Sequence, residues 1–354
     1  MRLFFIFMFS VNLIACNSSE KITQESDLVN PEKIEVIPEL HQTTGSIEIL
    51  HPDALKFIDK KSTLTLLANH FKWTEGPLWV DDGNESYLLF SDIPNNKTIK
   101  YQPTLGFSTY LDNSGTSNLY PDDYISGSNG LLQNNKKQLV VFQQGDRRIS
   151  IMDAPLHAPQ NKFNSLVSHY QNKRLNSPND GVFHSNGSLY FTDPPYGLKE
   201  WRNDPKQELA HRGVYQLTPQ GELILLDDSL TYPNGIAFSL DEKTLYVAVS
   251  DEKNPKWVAY DVLANGKINN KRVFYDTKPF LNKKGEKGLP DGMVLHSSGS
   301  LFASGPGGVW LFSPNGKVIA KIKTGKLTAN CTLSSDEKTL FITAHNTLMS
   351  FPIK

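Results

Sequence analysis

The chain has 354 residues, with 36 Lys and Arg against 37 Asp and Glu and a net charge of −1. Its hydrophobic fraction of 38% is enough to fill a core, and its charged fraction of 21% is too low for a disordered chain. A net charge so close to zero gives no general attraction to phosphate backbones, which disfavours a nucleic-acid partner. The 24 Gly and 21 Pro are spread along the whole length, which is typical of many short elements joined by turns and favours an all-β fold.

The N-terminal segment predicts an exported and anchored protein. Residues 1–15 read as a signal peptide, because one positive charge precedes an apolar run that is too short to span a bilayer. The run ends in Leu13-Ile14-Ala15-Cys16, which resembles the lipobox of bacterial lipoproteins, whose Cys is lipidated; an ordinary secretory peptide is the alternative. We expect a polar, flexible tether over 16–45 and a single domain over 46–354. Membrane attachment would then depend only on the lipid at Cys16, on the periplasmic or outer-membrane side of a bacterial envelope.

A repeated motif fills the predicted domain. In each copy a polar corner precedes an apolar strand, a tight turn and a strand of β-branched and aromatic residues, as in 233–248. The six corners lie at Glu75, Asn129, Asn179, Asn234, Asp291 and Asn330. Each copy starts with a hairpin and continues with further strands, which predicts a six-bladed β-propeller with four-stranded blades. The last copy has three strands, and we expect the segment 62–67 to supply the fourth and close the ring.

Four of the six corner residues could together bind a metal ion. Rotational repetition should bring them together around one axis, and four of them are the oxygen donors Glu75, Asn179, Asn234 and Asp291. Two carboxylates and two amides give a ligand charge of −2, which suits a hard divalent cation such as Ca²⁺. None of the four is Cys or His, which argues against zinc. The alternative is that Asn, Asp and Gly stand there only because tight turns favour them.

Several segments together resemble the SMP-30/gluconolactonase/luciferin-regenerating-like family over about residues 65–350. They include Glu75-Gly76-Pro77-Leu78-Trp79, Tyr190-Phe191-Thr192-Asp193-Pro194-Pro195-Tyr196-Gly197 and Leu289-Pro290-Asp291-Gly292-Met293. The resemblance implies one catalytic divalent metal, usually Ca²⁺, held by a Glu, two Asn and an Asp that match the four corner residues. Mg²⁺, Mn²⁺ and Zn²⁺ remain alternatives. It also implies hydrolysis of a small lactone, in which the metal polarises the carbonyl, water attacks, and Asp291 is the candidate general base.

Other residues are candidates for contacts with the substrate: Asn129, Asp180, Tyr196 and Arg147 or its neighbour Arg148. The family usually has Glu-His-Gly-Asn-Arg-Arg where this chain has residues 143–148 without a His, so the substrate is left open. Cys331 reads as a buried thiol rather than a nucleophile. We expect an enzyme that opens a sugar lactone of the glucono-1,5-lactone type. The alternatives are another lactone or a phosphotriester as substrate, or a non-catalytic propeller that binds sugars or a protein; the oligomeric state is not predicted.

Overall fold

The structure, a computed structural model, describes residues 39–117, 124 and 126–354. The predicted signal peptide, Cys16 and most of the predicted tether lie outside these residues, so those assignments stay predictions. Helix in the described part is limited to 3₁₀ segments at Pro52–Lys56, Ile93–Asn95, Trp201–Asn203 and Lys278–Phe280. No helix of the described part is long and apolar enough to cross a membrane.

Six antiparallel sheets repeat along the chain as the blades of a propeller, which confirms the predicted fold. Three strands precede the first blade: β1 (Gln42–Thr44), β2 (Ser46–Ile49) and β3 (Leu64–Ala68). Blade 1 consists of β4 (Thr74–Asp81), β5 (Ser86–Asp92), β6 (Lys97–Gln102) and β7 (Gly106–Asp112). Blade 2 consists of β8 (Ser128–Gln133), β9 (Leu139–Gln143), β10 (Arg148–Met152) and β11 (Phe163–Val167). A two-stranded hairpin follows, made of β12 (His169–Tyr170) and β13 (Lys173–Arg174).

The remaining blades follow the same order. Blade 3 consists of β14 (Gly181–Phe183), β15 (Leu189–Asp193), β16 (Gly213–Leu217) and β17 (Leu223–Asp227). Blade 4 consists of β18 (Pro233–Phe238), β19 (Thr244–Val249), β20 (Lys256–Val262) and β21 (Ile268–Asp276). Blade 5 starts with β22 (Met293–Leu295), β23 (Leu301–Gly305), β24 (Gly308–Phe312) and β25 (Val318–Lys323). Blade 6 starts with β26 (Thr328–Leu333), β27 (Thr339–Ala344) and β28 (Thr347–Pro352).

The N-terminal strands close the ring. Strand β3 pairs antiparallel with β28, with Leu66 opposite Met349, as the sequence predicts. Two strands were not foreseen: β1 adds to β3, and β2 adds to β25, so blades 5 and 6 each contain five strands. Residues 42–44 of the predicted tether are therefore a paired strand, because the open edge of β3 offers their backbone hydrogen-bond partners.

Apolar contacts between neighbouring blades form the core. All five residues of β9 are buried, which explains the apolar run that precedes its last residue, Gln143. At the seam between blades 6 and 1, Trp79 stacks on Phe341 with ring centroids 5.3 Å apart and planes at 12°. Trp257 of blade 4 lies against Trp310 of blade 5 at 5.7 Å. These contacts fix the blades around the axis on which the polar corners meet.

Candidate active site

Strand register is irregular near the start of four of the six innermost strands. Register shifts fall between Glu75 and Leu78, Ser128 and Leu131, Pro233 and Ile236, and Thr328 and Asn330. In blade 5 the amide of Asp291 donates to the Ser304 carbonyl at 3.0 Å, and the Ser304 amide donates back to Gly292 at 2.9 Å. Such irregularities re-aim a side chain that would otherwise follow the pleat. They occur at the polar corners, which are the predicted site residues.

The corners of neighbouring blades touch through their glycines. A Cβ on Gly235 would lie 2.3 Å from the carbonyl oxygen of Asp291, and one on Gly292 would lie 1.9 Å from the side chain of Asn330. The amide of Gly130 donates to the carbonyl of Asn179 at 2.8 Å. Only glycine permits approaches this close. The structure therefore brings the corners together around the axis, as the repeat predicts.

Two of the predicted ligands are held by their neighbours. Nδ2 of Asn234 donates to Oγ of Ser250 at 3.0 Å, and the Asn234 amide lies close enough to Asp291 to act against the rise of that residue's pKa. The Ser250 hydroxyl donates in turn to the carbonyl of Pro290 at 2.6 Å. This chain of hydrogen bonds fixes the amide plane of Asn234 and the backbone just before Asp291.

Glu75 is held by a residue that the sequence analysis did not assign to the site. Its Oε2 accepts from the Gly76 amide at 3.1 Å and from Nδ2 of Asn330 at 3.4 Å. Asn330 is 6% exposed and is the polar corner of the sixth and last copy of the repeat. Its place in the repeat was the signal that could have identified it.

Three carboxyl groups influence one another at the site, and their ionisation is suppressed: Glu75 and Asp180 are buried, and Asp291 is half-buried. Burial raises the pKa of Asp180 to about 7. Burial, together with the charge of Asp180, raises the pKa of Glu75 to about 7. The pKa of Asp291 is raised well above its usual value by burial and by the charges of Glu75 and Asp180. No Lys or Arg charge is among the main influences on the pKa of any of the three.

The site has the features that a bound cation would satisfy. Oδ1 of Asp291 and Oδ1 of Asn129 are buried and accept no hydrogen bond from a described residue. An unpaired buried acceptor is costly, and so is a buried negative charge without a partner. Across the described residues no three His, Cys, Asp or Glu side chains form a ready metal cluster. The predicted set has only two such residues, Glu75 and Asp291, and completes its oxygens with two asparagines, which fits a hard cation.

An apolar channel continues along the axis behind the corners. It is a cavity of about 350 Å³, and its apolar wall includes Leu131, Val182, Ile236 and Met293. Asp180, a predicted substrate contact, lies at its wall, where Oδ1 accepts from the Gly181 amide at 2.8 Å. The apolar neighbours contribute to the burial that raises the pKa of Asp180.

Cys331 lines the same channel. It is 3% exposed, its thiol contacts the Phe302 carbonyl at 3.7 Å, and burial raises its pKa. The predicted burial of this thiol is confirmed.

Tyr196, which the sequence analysis names as a candidate substrate contact, lies near Asp291. Burial and the charge of Asp291 raise its pKa, and its hydroxyl interacts with Ser250. The ring stacks on Tyr232, with centroids 5.7 Å apart and planes at 13°. The site therefore has one aromatic wall next to Asp291.

Arg147 occupies a different place from the predicted one. It is 2% exposed, and its Nε donates to the carbonyls of Leu175 at 2.8 Å and Asn176 at 3.0 Å. Its Nη1 donates to the Lys206 carbonyl at 3.0 Å. The guanidinium thus fastens the backbone that leads to Asn179 instead of facing the open site. Sequence could not show this, because the carbonyls that it binds carry no residue-specific signal.

Asp193 fastens the same loop from the other side and was also missed. Its two carboxylate oxygens accept from the amides of Asn176 at 2.7 Å and Ser177 at 2.8 Å. The Ser177 hydroxyl donates to the Pro194 carbonyl at 2.6 Å and accepts from the Gly197 amide at 2.8 Å. One buried network therefore joins the loop that precedes Asn179 to the loop that carries Tyr196.

Fold and site together define a class of protein: a β-propeller with buried acidic and amide side chains converging at one end of its axis. The family model described as SMP-30/Gluconolactonase/LRE-like region matches residues 73–346. The chain therefore belongs to this family, as its sequence motifs indicate.

Three similar proteins illustrate the relationship. The chain is 37% identical to the gluconolactonase of Zymomonas mobilis over 310 residues, which cover 86% of this chain and 85% of that protein. A solved gluconolactonase from Xanthomonas campestris aligns with a TM-score of 0.73 and 29% identity, over 90% of this chain and 98% of that one. The regucalcin from Agrobacterium tumefaciens, described as a calcium-binding protein, shares the fold with a TM-score of 0.60 and 16% identity, over 80% and 92% of the two chains. The likeness to gluconolactonases supports a lactone hydrolase that acts on a small molecule.

Proposed function

We propose that this protein is a divalent-cation-dependent hydrolase that opens an aldonolactone of the glucono-1,5-lactone type. The observation that carries the proposal is the buried Oδ1 of Asp291, which has no partner among the described residues and lies beside Asn234 and the repelling charge of Glu75. Glu75, Asn179, Asn234 and Asp291 would hold the cation, for which Ca²⁺ is our first choice on the chemistry of the donors. When bound, the cation supplies polarisation of the lactone carbonyl and stabilises the developing oxyanion.

The residues of the chain supply the proton transfer and the binding surface. Asp291 accepts the proton of the attacking water at a carboxylate oxygen, while Asn234 and the backbone near Pro290 hold that carboxyl group in place. The water oxygen bonds to the carbonyl carbon, the bond from that carbon to the ring oxygen breaks, and the ring oxygen takes up the proton. Tyr196 and Asn129 would bind hydroxyl groups of the sugar ring.

The test is hydrolysis of glucono-1,5-lactone, followed by acid release and corrected for spontaneous hydrolysis. We expect turnover to be lost after chelation and restored by Ca²⁺, and to be lost in Glu75→Gln and Asp291→Asn. Asp261→Asn is the matched control, since this exposed carboxylate on blade 4 pairs only with surface groups such as Arg272 at 2.6 Å. Calorimetric titration with Ca²⁺ on the same variants measures cation binding without catalysis.

The outcomes separate the alternatives. Activity that survives chelation and both substitutions would remove the cation from the proposal. Binding of Ca²⁺ without turnover of any lactone in a panel would favour a binding propeller over an enzyme.

A further inference from the structure

Trp201 is the most exposed of the five tryptophans. Its side chain is 50% exposed, whereas Trp257 and Trp310 are less than 2% exposed and the other two are partly buried. A single exposed apolar side chain is common at a protein surface. The backbone conformation of Trp201 and its ring neighbours are what distinguish it from the other exposed apolar residues.

The backbone presents this ring at a cost. Trp201 has a φ of +50°, a conformation that bulky residues rarely adopt and that is concentrated at functional sites. The loop is closed by Asp204, which is 8% exposed and accepts from the amides of Glu200 at 3.0 Å and Lys206 at 2.9 Å. The Trp201 amide donates to the Leu198 carbonyl at 3.2 Å. The ring is thus held at the surface by a fastened loop.

An aromatic path connects the ring to the candidate active site. Trp201 contacts Tyr196 with centroids 5.5 Å apart and planes at 81°, and Tyr196 stacks on Tyr232. The carbonyl of Tyr232 accepts from the Ser250 amide at 3.0 Å, and the Ser250 hydroxyl accepts from Nδ2 of Asn234 at 3.0 Å, so the rings end beside a predicted ligand of the site. The rings therefore run outward from the site to the solvent, with the exposed polar residues Arg202 and Asn203 next to the outermost ring.

We propose that Trp201 forms a subsite for a second sugar ring, so that the preferred substrate is a glycosylated aldonolactone. The inference rests on the proposed function and deepens it. The axial C–H groups of a pyranose form an apolar face that packs on an aromatic ring, while its hydroxyl groups bind polar neighbours. In an aldono-1,5-lactone O4 lies across the ring from the carbonyl, so a sugar on O4 extends away from the reacting carbon and toward the outer end of the aromatic path.

The kinetic test compares cellobiono-1,5-lactone with glucono-1,5-lactone. We expect the wild-type protein to have the higher kcat/KM for the disaccharide lactone, and Trp201→Ala to reduce this preference about tenfold, mainly through KM. Trp201→Phe should retain part of the preference. Trp201→Gly should lose the preference without a fall in Tm, because glycine relieves the positive φ. Leu105→Ala is the control, since Leu105 is 74% exposed in the β6–β7 turn and its loss should leave the preference unchanged.

A binding test separates this proposal from the proposed function. Titration with the disaccharide acid, the expected product, should quench tryptophan fluorescence to saturation in the wild type and not in Trp201→Phe. Quenching in a protein that opens no lactone would refute the proposed function and leave the sugar subsite standing. An equal loss on both lactones in Trp201→Ala, or a larger loss on a long-chain alkyl lactone than on the disaccharide lactone, would overturn the subsite.

Discussion

The carboxyl group of Asp193 offers a quantitative test of how the site is held in place. It is fully buried, and each of its two oxygens accepts one backbone amide from the loop that precedes Asn179. In Asp193→Asn one oxygen becomes an NH₂ group, which cannot accept. One amide then loses its partner and faces another donor inside the protein.

The cost follows from the two groups affected. Loss of one hydrogen bond and burial of an unpaired amide together destabilise the fold by about 3 kcal/mol. For a domain of this size the unfolding entropy converts that figure into a fall in Tm of roughly 5 °C. Since the loop positions Asn179, we also expect Ca²⁺ affinity to fall about tenfold, as is usual when a group that orients a metal ligand is lost.

The assay is thermal and chemical unfolding of the protein, with calorimetric Ca²⁺ titration on the same samples. Asp241→Asn is the matched control, because Asp241 accepts from the Lys243 amide at 3.1 Å in an exposed turn where water replaces any lost bond. That control should change stability by less than about 0.5 kcal/mol. Equal stability of Asp193→Asn and wild type, or an unchanged Ca²⁺ affinity, would refute the reasoning.

Three further predictions test other parts of the structure. Burial acts to raise the pKa of Asp227, but hydrogen bonds from its neighbours outweigh burial and leave the pKa lowered. The ionised Asp227 therefore stabilises the fold above about pH 4, and this stabilisation is lost as the pH falls below that value. Asp227→Asn should flatten the acid side of a plot of unfolding free energy against pH. Cys331 should react with thiol reagents only after unfolding, and rapid labelling of the folded protein would contradict its burial. Gly76→Ala should sharply reduce the folded yield, because the added Cβ would lie 2.0 Å from the Asn129 carbonyl oxygen. Gly83→Ala is the control: Gly83 also has a positive φ, but its Cβ would meet no atom, so the free energy of unfolding should fall by only about 1 kcal/mol.

The sequence was sufficient for the parts of the fold that repeat. Six similar copies mark the blades, and a missing strand in the last copy identifies the closing role of β3. The added strand β1 was missed because Gln42, Thr43 and Thr44 are polar and show no apolar period. Their pairing is decided by the free edge of a strand that lies about 20 positions further along the chain.

In the candidate site, too, some residues could be predicted from the repeat and others could not. The corner residues could be identified because the repeat places them at equivalent positions, and Asn330 was overlooked only as a partner of Glu75. The roles of Asp193 and Arg147 could not be identified, since both bind backbone groups of distant residues. The exposure of Trp201 likewise depends on a local φ that no periodicity predicts.

The central claim is that four corner residues hold one divalent cation at the axis of the propeller. Its most direct test is a crystal structure of the protein grown with Ca²⁺. We expect a single ion within about 2.3–2.6 Å of side-chain oxygens of Glu75, Asn179, Asn234 and Asp291. A saturating Ca²⁺ concentration that leaves these oxygens without an ion, or an ion bound elsewhere in a protein that still opens the lactone, would contradict the claim.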